Sequence, residues 1–263
     1  MFKLTTLNLN GIRSATSKGV EAWVTQTRPD CICVQEIRAQ AADVAGRFES
    51  LAGLQGHFHF ALKKGYAGVA IYSRHAPSEV VTGFGSAEFD AEGRYLELRF
   101  DTPQRKLSLV SCYFPSGSSG EERQQAKFRF LDQFEPHLAQ LKAQREFILC
   151  GDVNIAHKER DLKNWRSNQK NSGFLPQERA WMTRQLGEGG LVDVYRRLQP
   201  DATDAAYTWW SNRGQAWANN VGWRLDYQIA TAGLAQTARE AAVYKDTRFS
   251  DHAPLTIQYD TPF

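Results

Sequence analysis

The chain lacks any CxxC pair, any His at zinc-finger spacing and any HExxH, so neither a structural zinc module nor a zinc protease centre is indicated. No apolar run reaches the roughly 18 residues a membrane span needs. The amino terminus MFKLTTLNLNG has no basic region followed by a long apolar one, which argues against secretion. Charge of one sign is scarce: 32 Lys plus Arg against 29 Asp plus Glu leaves +3, too little to imply a polyanionic partner by itself. Cysteine is sparse, and Cys31, Cys33, Cys112 and Cys150 all lie in apolar, strand-like runs, so they read as reduced core residues of a cytoplasmic protein. Internal repeats and low-complexity tracts are absent and the richest linker is the short SGSSG, so residues 1–263 are expected to form a single domain.

What the chain does have is strands. KLTTLNLN, CICVQ, HFHFAL, AGVAIYS, YLELRF, KLSLVSCYF, EFILCGD, LDYQIA and PLTIQY alternate with period two or run continuously apolar, which implies a mixed sheet system with interior strands. Helical spacing is rarer. Val20, Trp23, Val24 and Thr27 precede the stop at Pro29. Phe128, Leu131, Phe134, Leu138 and Leu141 follow Ser118 and Ser119, each with a Glu three residues on at capping-box spacing, and Pro136 is expected to kink or divide that helix. A further helix should open near Pro176.

The polar residues gather where strands end. ILCGDVNIAH stops its apolar run at Asp152 and Asn154, which share a face because residues i and i+2 of a strand point the same way. TTLNLNG ends in Asn8 and Asn10, and CICVQEIR in Glu36. GWRLDYQ carries Asp226 into a strand, and FSDHAPL sets Asp251 and His252 before another. Oxygen ligands and one imidazole at five strand ends suit a hard cation, Mg²⁺ or Mn²⁺, rather than zinc. The other histidines (57, 59, 75, 137 and 157) are scattered and read as structural or solvated.

A single sequence does not bring five strand ends together. However, LNLNGIR, QEIRAQ, GYAGVAIYSR, EGRY, CYFPSG, CGDVNIAHKERDLKN, NSGFLPQER, YTWWSNRG, NVGWRLDYQ and SDHAPL occur in the order and spacing of the exonuclease III type of apurinic/apyrimidinic endonuclease, which the chain resembles from about residue 3 to 259. The resemblance implies an α/β fold of the DNase I-like kind, a four-layer sandwich of two packed mixed β-sheets flanked by helices. It implies catalytic roles for Tyr113, Asp152, Asn154, Asp226 and His252. Glu36 would be the principal ligand of one or two Mg²⁺ ions, with Asn8, Asn10 and Asp251 around it and Asp152, Asn154 and His252 close by. Asp152 would accept the proton of the attacking water, Asn154 would orient that water, and Asp226 would hold His252 against a phosphate oxygen. Which of Asp152, His252 and Tyr113 makes the decisive proton transfer stays open. Two positions depart from relatives: Asn10 is neutral where some have Asp, and Leu7 stands where many have an aromatic residue.

Between Lys158 and Asn171, five basic residues face two acidic ones, an excess equal to the whole chain's net charge. Beside the site such a segment would neutralise phosphates. By the same resemblance, Arg94, Asn168, Asn171 and Phe174 are expected substrate contacts, Trp209, Trp223 and Leu225 walls of a pocket for a base-free sugar, and Arg213 a side chain inserted at the lesion. Gly173 is expected to leave room beside that pocket. The expected activity is cleavage of duplex DNA 5′ to abasic sites by a monomer, with 3′–5′ exonuclease and 3′ phosphodiesterase or phosphatase activity. The rivals are a same-fold phosphoesterase acting on another substrate and a noncatalytic DNA-damage binder.

Overall fold

The computed structural model describes residues 1–262. Its first sheet grows from β1 (Phe2–Asn8) and β2 (Cys31–Gln35), which run parallel. Alternation sends Leu4, Cys31 and Cys33 to one face and Leu7, Ile32 and Val34 to the other, and both faces are buried. This is why these strands read as unbroken apolar runs. Strands β3 (Ser50–Leu51), β4 (Leu54–His59) and β5 (Val69–Ser73) extend the sheet beyond β2.

The second sheet contains β6 (Glu79–Thr82), β7 (Tyr95–Arg99), β8 (Leu107–Tyr113), β9 (Glu146–Asp152), β10 (Leu191–Asp193) and, after the short pair β11 (Trp209–Trp210) and β12 (Gly222–Trp223), β13 (Asp226–Thr231). Its order is β10-β13-β9-β8-β7-β6, with β8 and β9 parallel and the other neighbours antiparallel. The chain then returns to the first sheet through β14 (Ala238–Val243) and β15 (Leu255–Tyr259), giving β14-β15-β1-β2-β5-β4-β3.

Between the sheets, Leu96, Leu98, Leu109, Ile148 and Cys150 pack on Cys31, Cys33, Val69, Ile71 and Ile257. Outside the second sheet, the helices Glu121–Gln144 and Pro176–Leu186 set Phe130, Phe134, Leu138 and Trp181 on Val110, Phe147, Leu149 and Tyr227. Outside the first, Ile12–Ser17 and Val20–Thr27 cover Leu7, Ile32, Val34 and Tyr72. The result is the four-layer α/β sandwich, two packed mixed β-sheets flanked by helices. All four cysteines are buried and free. Among the described residues, no helix is long and apolar enough to cross a membrane.

Three local expectations need correction. Neither Ser118 nor Ser119 caps the long helix: it begins at Glu121 behind Gly120, at φ 124°, while Ser118 Oγ is spent on Ser116 Oγ at 2.9 Å. Pro136 does not divide the helix, which runs unbroken for 24 residues. Both Pro136 and Asp132, whose carbonyl loses its partner, are exposed on the outer side of the helix, where an unpaired carbonyl costs least. HFHFAL starts too late, because pairing with β5 covers Gln55 to His59 and ends there.

The carboxyl ends of the two central parallel pairs, β1 with β2 and β8 with β9, lie at the same end of the sandwich as the starts of their antiparallel neighbours β15 and β13. Every polar strand end singled out above belongs to that set.

Candidate active site

The site is built on register. Asp152, last in β9, lies opposite Asp226, first in β13, and opposite Tyr113, last in β8. In the facing sheet, Asn8 ends β1 and pairs with Gln35, directly before Glu36. Asn10, Glu36 and Asn154 follow their strands in left-handed backbone, at φ 45°, 55° and 55°. That conformation is uncommon for a residue with a side chain, above all for Glu, and it clusters where function demands a particular aim. Glu36 is held there by Gly11 N–H donating to its carbonyl at 2.8 Å. Ser250 ties the His252 loop to β1, donating from Oγ to Asn8 O at 2.6 Å and accepting from His252 N at 2.9 Å.

Hydrogen bonds then link the side chains across the two sheets. Asn8 Nδ2 donates to Asp152 Oδ2 at 2.9 Å and to Glu36 Oε2 at 3.1 Å. Asn154 donates to Asp152 through both its backbone N–H, at 3.0 Å, and Nδ2, at 3.2 Å. His252 Nδ1 sits 2.7 Å from Asp226 Oδ2, and Nε2 sits 3.6 Å from Asp152 Oδ2. Asn10 Nδ2 and Trp209 Nε1 donate to the two oxygens of Asp251 at 2.9 and 3.1 Å. Arg38 clasps Glu36 Oε1 through Nε and Nη2.

Charge follows from this geometry. Burial alone would make His252 harder to protonate, but the carboxylates of Asp226 and Asp152 outweigh it and raise its pKa. Burial raises Asp152; the His252 charge and the Asn8 bond oppose this and Asp226 and Glu36 add to it, leaving Asp152 a weaker acid than usual. Asp251 goes the other way, since the His252 charge and the bonds from Asn10 and Trp209 overcome its burial. Burial, with Glu36 and Asp152 nearby, holds the Tyr113 hydroxyl protonated well beyond the ordinary range.

Above this floor opens a cleft of about 240 Å³, lined by Glu36, Tyr113, Asp152, Asn154, Asp251 and His252 below and by Asn168, Asn171, Gly173, Trp209, Trp223 and Leu225 on its walls. Trp209 and Trp223 meet edge to face at 6.2 Å, and Phe174, Leu162 and Ala156 back them. Two expected contacts lie deeper. Phe174 is fully buried behind the wall, and Arg94, 2% exposed, donates from beneath to the Tyr113 carbonyl at 3.0 Å. Arg213 is exposed in the loop between β11 and β12 and is not one of the residues that line the cleft. Of the basic segment, Lys163 is paired with Asp204 at 2.7 Å and Arg160 donates to Pro200 O at 2.6 Å. A larger hollow of about 600 Å³ behind that segment includes Asp161, Asp193, Arg196 and Arg224 in its lining. Those charges pair with one another, Arg224 Nε at 2.8 Å from Asp161 and Nη2 at 2.7 Å from Asp193.

One ligand atom from each of Asp152, Asp226 and His252 lies within 4.8 Å of the others, so these residues could hold a divalent cation. Glu36, Asp251 and the amides of Asn8 and Asn10 add a hard oxygen set at the same end, of the type Mg²⁺ and Mn²⁺ prefer.

The profile of the Endonuclease/Exonuclease/phosphatase family matches residues 5–252. The chain belongs to this family. Within it, the chain groups with the apurinic/apyrimidinic endonuclease-like proteins. It is 35% identical to the exodeoxyribonuclease of Bacillus subtilis over 256 residues, covering 97% of this chain and 98% of the relative. It is 37% identical to the DNA repair nuclease APEX1 of Danio rerio over 262 residues, covering 97% and 81%. The solved AP endonuclease of Archaeoglobus fulgidus superposes with a TM-score of 0.87 at 27% identity, over 99% of this chain and 100% of that one.

For an endonuclease/exonuclease/phosphatase family member, the residues that sequence reasoning missed are those that brace the site. Ser250, described above, is one. Thr208 Oγ1 accepts from the backbone N–H of both Leu225 and Asp226 at 3.1 Å, fixing the start of β13. Lys127 and Glu178 lie fully buried beneath the cleft. Ser250, Thr208 and Glu178 fall inside the stretches SDHAPL, YTWWSNRG and NSGFLPQER, the one signal they carry, whereas Lys127, set among helical hydrophobes, falls in none because its contacts are made with distant segments.

Proposed function

We propose that this protein is a metal-dependent DNA repair nuclease that hydrolyses the backbone 5′ to abasic sites in duplex DNA. The same cleft would also trim 3′ ends as a 3′–5′ exonuclease and 3′ phosphodiesterase or phosphatase. The observation that carries the reading is the chain Asp226, His252, Asp152, closed by Asn8 onto Glu36 at the foot of a tryptophan-walled cleft. The relatives' names as nucleases support the substrate class, as does the basic segment beside the cleft. The protein is proposed to act as a cytoplasmic monomer.

Asp152 takes the proton of the attacking water. Its weakened acidity suits it to that work near neutral pH, and Asn8 and Asn154 fix both its oxygens. The water oxygen attacks phosphorus, the bond from phosphorus to the 3′ oxygen breaks, and that oxygen leaves with the electron pair. His252, kept protonated by Asp226, faces a non-bridging phosphate oxygen and offsets its charge. The Tyr113 hydroxyl, held protonated, donates to the phosphate or the leaving oxygen. One or two Mg²⁺ or Mn²⁺ ions held by Glu36 with Asn8, Asn10 and Asp251 would supply Lewis-acid neutralisation of charge on the phosphate and the leaving oxygen. Trp209, Trp223 and Leu225 admit a base-free sugar, which costs less to extrude than a normal nucleotide.

The test compares, with Mg²⁺ present, a duplex with a tetrahydrofuran abasic analogue, the intact duplex, a recessed 3′ end and a 3′ phosphate, alongside a phosphoinositide and sphingomyelin. Incision 5′ to the analogue, with the intact duplex uncut internally, is expected. Hydrolysis of a phosphoinositide or sphingomyelin with no cleavage of any DNA would overturn the reading in favour of a phosphoesterase. Tight binding of abasic DNA without turnover would overturn it in favour of a noncatalytic binder.

A further inference from the structure

Beneath the cleft, Lys127 of the long helix and Glu178 of the helix Pro176–Leu186 form an ion pair at 2.7 Å, with both side chains fully buried. A buried pair of this kind is weak evidence of stabilisation, because desolvating two charges offsets most of their attraction. Its remaining bonds lead to the cleft. Lys127 Nζ donates to the carbonyl of Asn154 at 2.6 Å. Glu178 Oε2 accepts from the N–H of Gly173 at 2.7 Å and of Leu175 at 3.0 Å, while Gln124 Nε2 donates to Oε1 at 3.1 Å.

Asn154 needs such an anchor. Its backbone is left-handed, its N–H goes to Asp152, and its Nδ2 is shared between Asp152 Oδ2 and Phe114 O. The carbonyl is the one remaining backbone handle, and holding it fixes the peptide that follows Asn154 and so the left-handed turn from which the residue reaches Asp152. Gly173, at φ 93°, is the matching case beside it: its N–H is gripped by Glu178 and its carbonyl accepts from Ala156 N–H at 2.8 Å.

Resting on the nuclease reading above, we infer that Lys127 and Glu178 are positioning residues of the reaction: one buried ion pair that holds the Asn154 carbonyl and the Gly173 amide, and so sets Asn154 against Asp152.

Lys127→Met alone would strand a buried carboxylate, and the protein could fail to fold. The informative variant is Lys127→Met with Glu178→Gln, which removes both charges and keeps an acceptor for Gly173 and Leu175. On the abasic-analogue duplex, kcat is expected to fall about 10- to 100-fold, the scale of a small misplacement in a catalytic constellation. KM should stay within about threefold, since ground-state binding is not what the pair supplies. Placed on Asn154→Ala, the same double substitution should cost less than about threefold more, because the side chain that the pair positions against Asp152 is already gone. A folded double variant with the wild-type kcat would overturn the inference, and so would a loss that multiplies in full on Asn154→Ala. The side-chain amide signals of Asn154 in a ¹H–¹⁵N spectrum need no substrate. They should shift in the double variant, and unchanged signals would overturn the inference. Failure of the wild type to cut abasic DNA would instead overturn the nuclease reading and leave that spectrum to decide the positioning.

Discussion

Asp152 and Asp226 are register partners on adjacent antiparallel strands, and their carboxylates flank one imidazole: His252 Nδ1 lies 2.7 Å from Asp226 and Nε2 lies 3.6 Å from Asp152. A ring between two acids, nearly sealed from water, is more basic than a free histidine, because both carboxylates favour the charged form.

Asp226→Asn removes the larger of those two influences. His252 should then lose its proton at lower pH, so the alkaline limb of the pH–rate profile should move down by roughly one to three units, the usual effect of deleting an adjacent opposite charge. Activity near pH 6 should suffer less than activity near pH 8. An unmoved alkaline limb would show that His252 is not the group being titrated.

Gly173 stands where a side chain would be crowded. A Cβ built there would lie 3.2 Å from both Asn154 O and Trp223 Cζ3, on a backbone at φ 93°. Gly173→His should therefore impair cleavage at abasic sites more than trimming of 3′ ends, which need not seat an extrahelical sugar against Trp223. Rates on both substrates measure it, and equal losses would count against the sugar pocket.

The basic segment divides into free and occupied charges. Lys170 has no internal ion pair among the described residues, whereas Lys163 is paired with Asp204. Lys170→Ala should lower the slope of log affinity against log salt by about 0.9, the value for one phosphate contact. Lys163→Ala should change it less. Salt titrations of duplex binding measure both slopes, and identical slopes for Lys170→Ala and wild type would place Lys170 off the DNA path.

Phe174 and Trp223 should separate stability from substrate choice. Phe174 is fully buried, so Phe174→Ala should destabilise the fold by about 3–5 kcal/mol, the cost of deleting a core aromatic. Trp223 faces the cleft, and Trp223→Ala should instead weaken discrimination between abasic and intact DNA. Thermal melts and the two cleavage rates distinguish the outcomes.

Much of this was legible before any coordinates. The apolar runs CICVQ and EFILCGD announced strands covered on both sides, whereas the pairing of Asp152 with Asn154 holds for a different reason than strand alternation: β9 ends at Asp152, and Asn154 turns back onto it from left-handed backbone. Convergence was not legible, because nothing in a linear chain says that the end of β1 meets the end of β9; only the resemblance to known nucleases implied it. Motif matching also fails to separate a residue that lines a cleft from one that supports it, as Arg94 under Tyr113 and Phe174 behind Trp223 illustrate. Ser118 and Ser119 have capping spacing, yet Gly120 takes the cap because its left-handed freedom lets the chain turn into the helix one residue later. Lys127 could not be found at all, since its meaning lies in a carbonyl 27 residues away.

The most direct measurement is cleavage of a synthetic abasic duplex by wild type and Asp152→Asn, each with Mg²⁺ and with EDTA. The account predicts incision 5′ to the lesion by wild type with Mg²⁺, its abolition by the chelator, and a loss of at least about 100-fold in Asp152→Asn. Incision that survives EDTA, or an Asp152→Asn enzyme as fast as wild type, would contradict it.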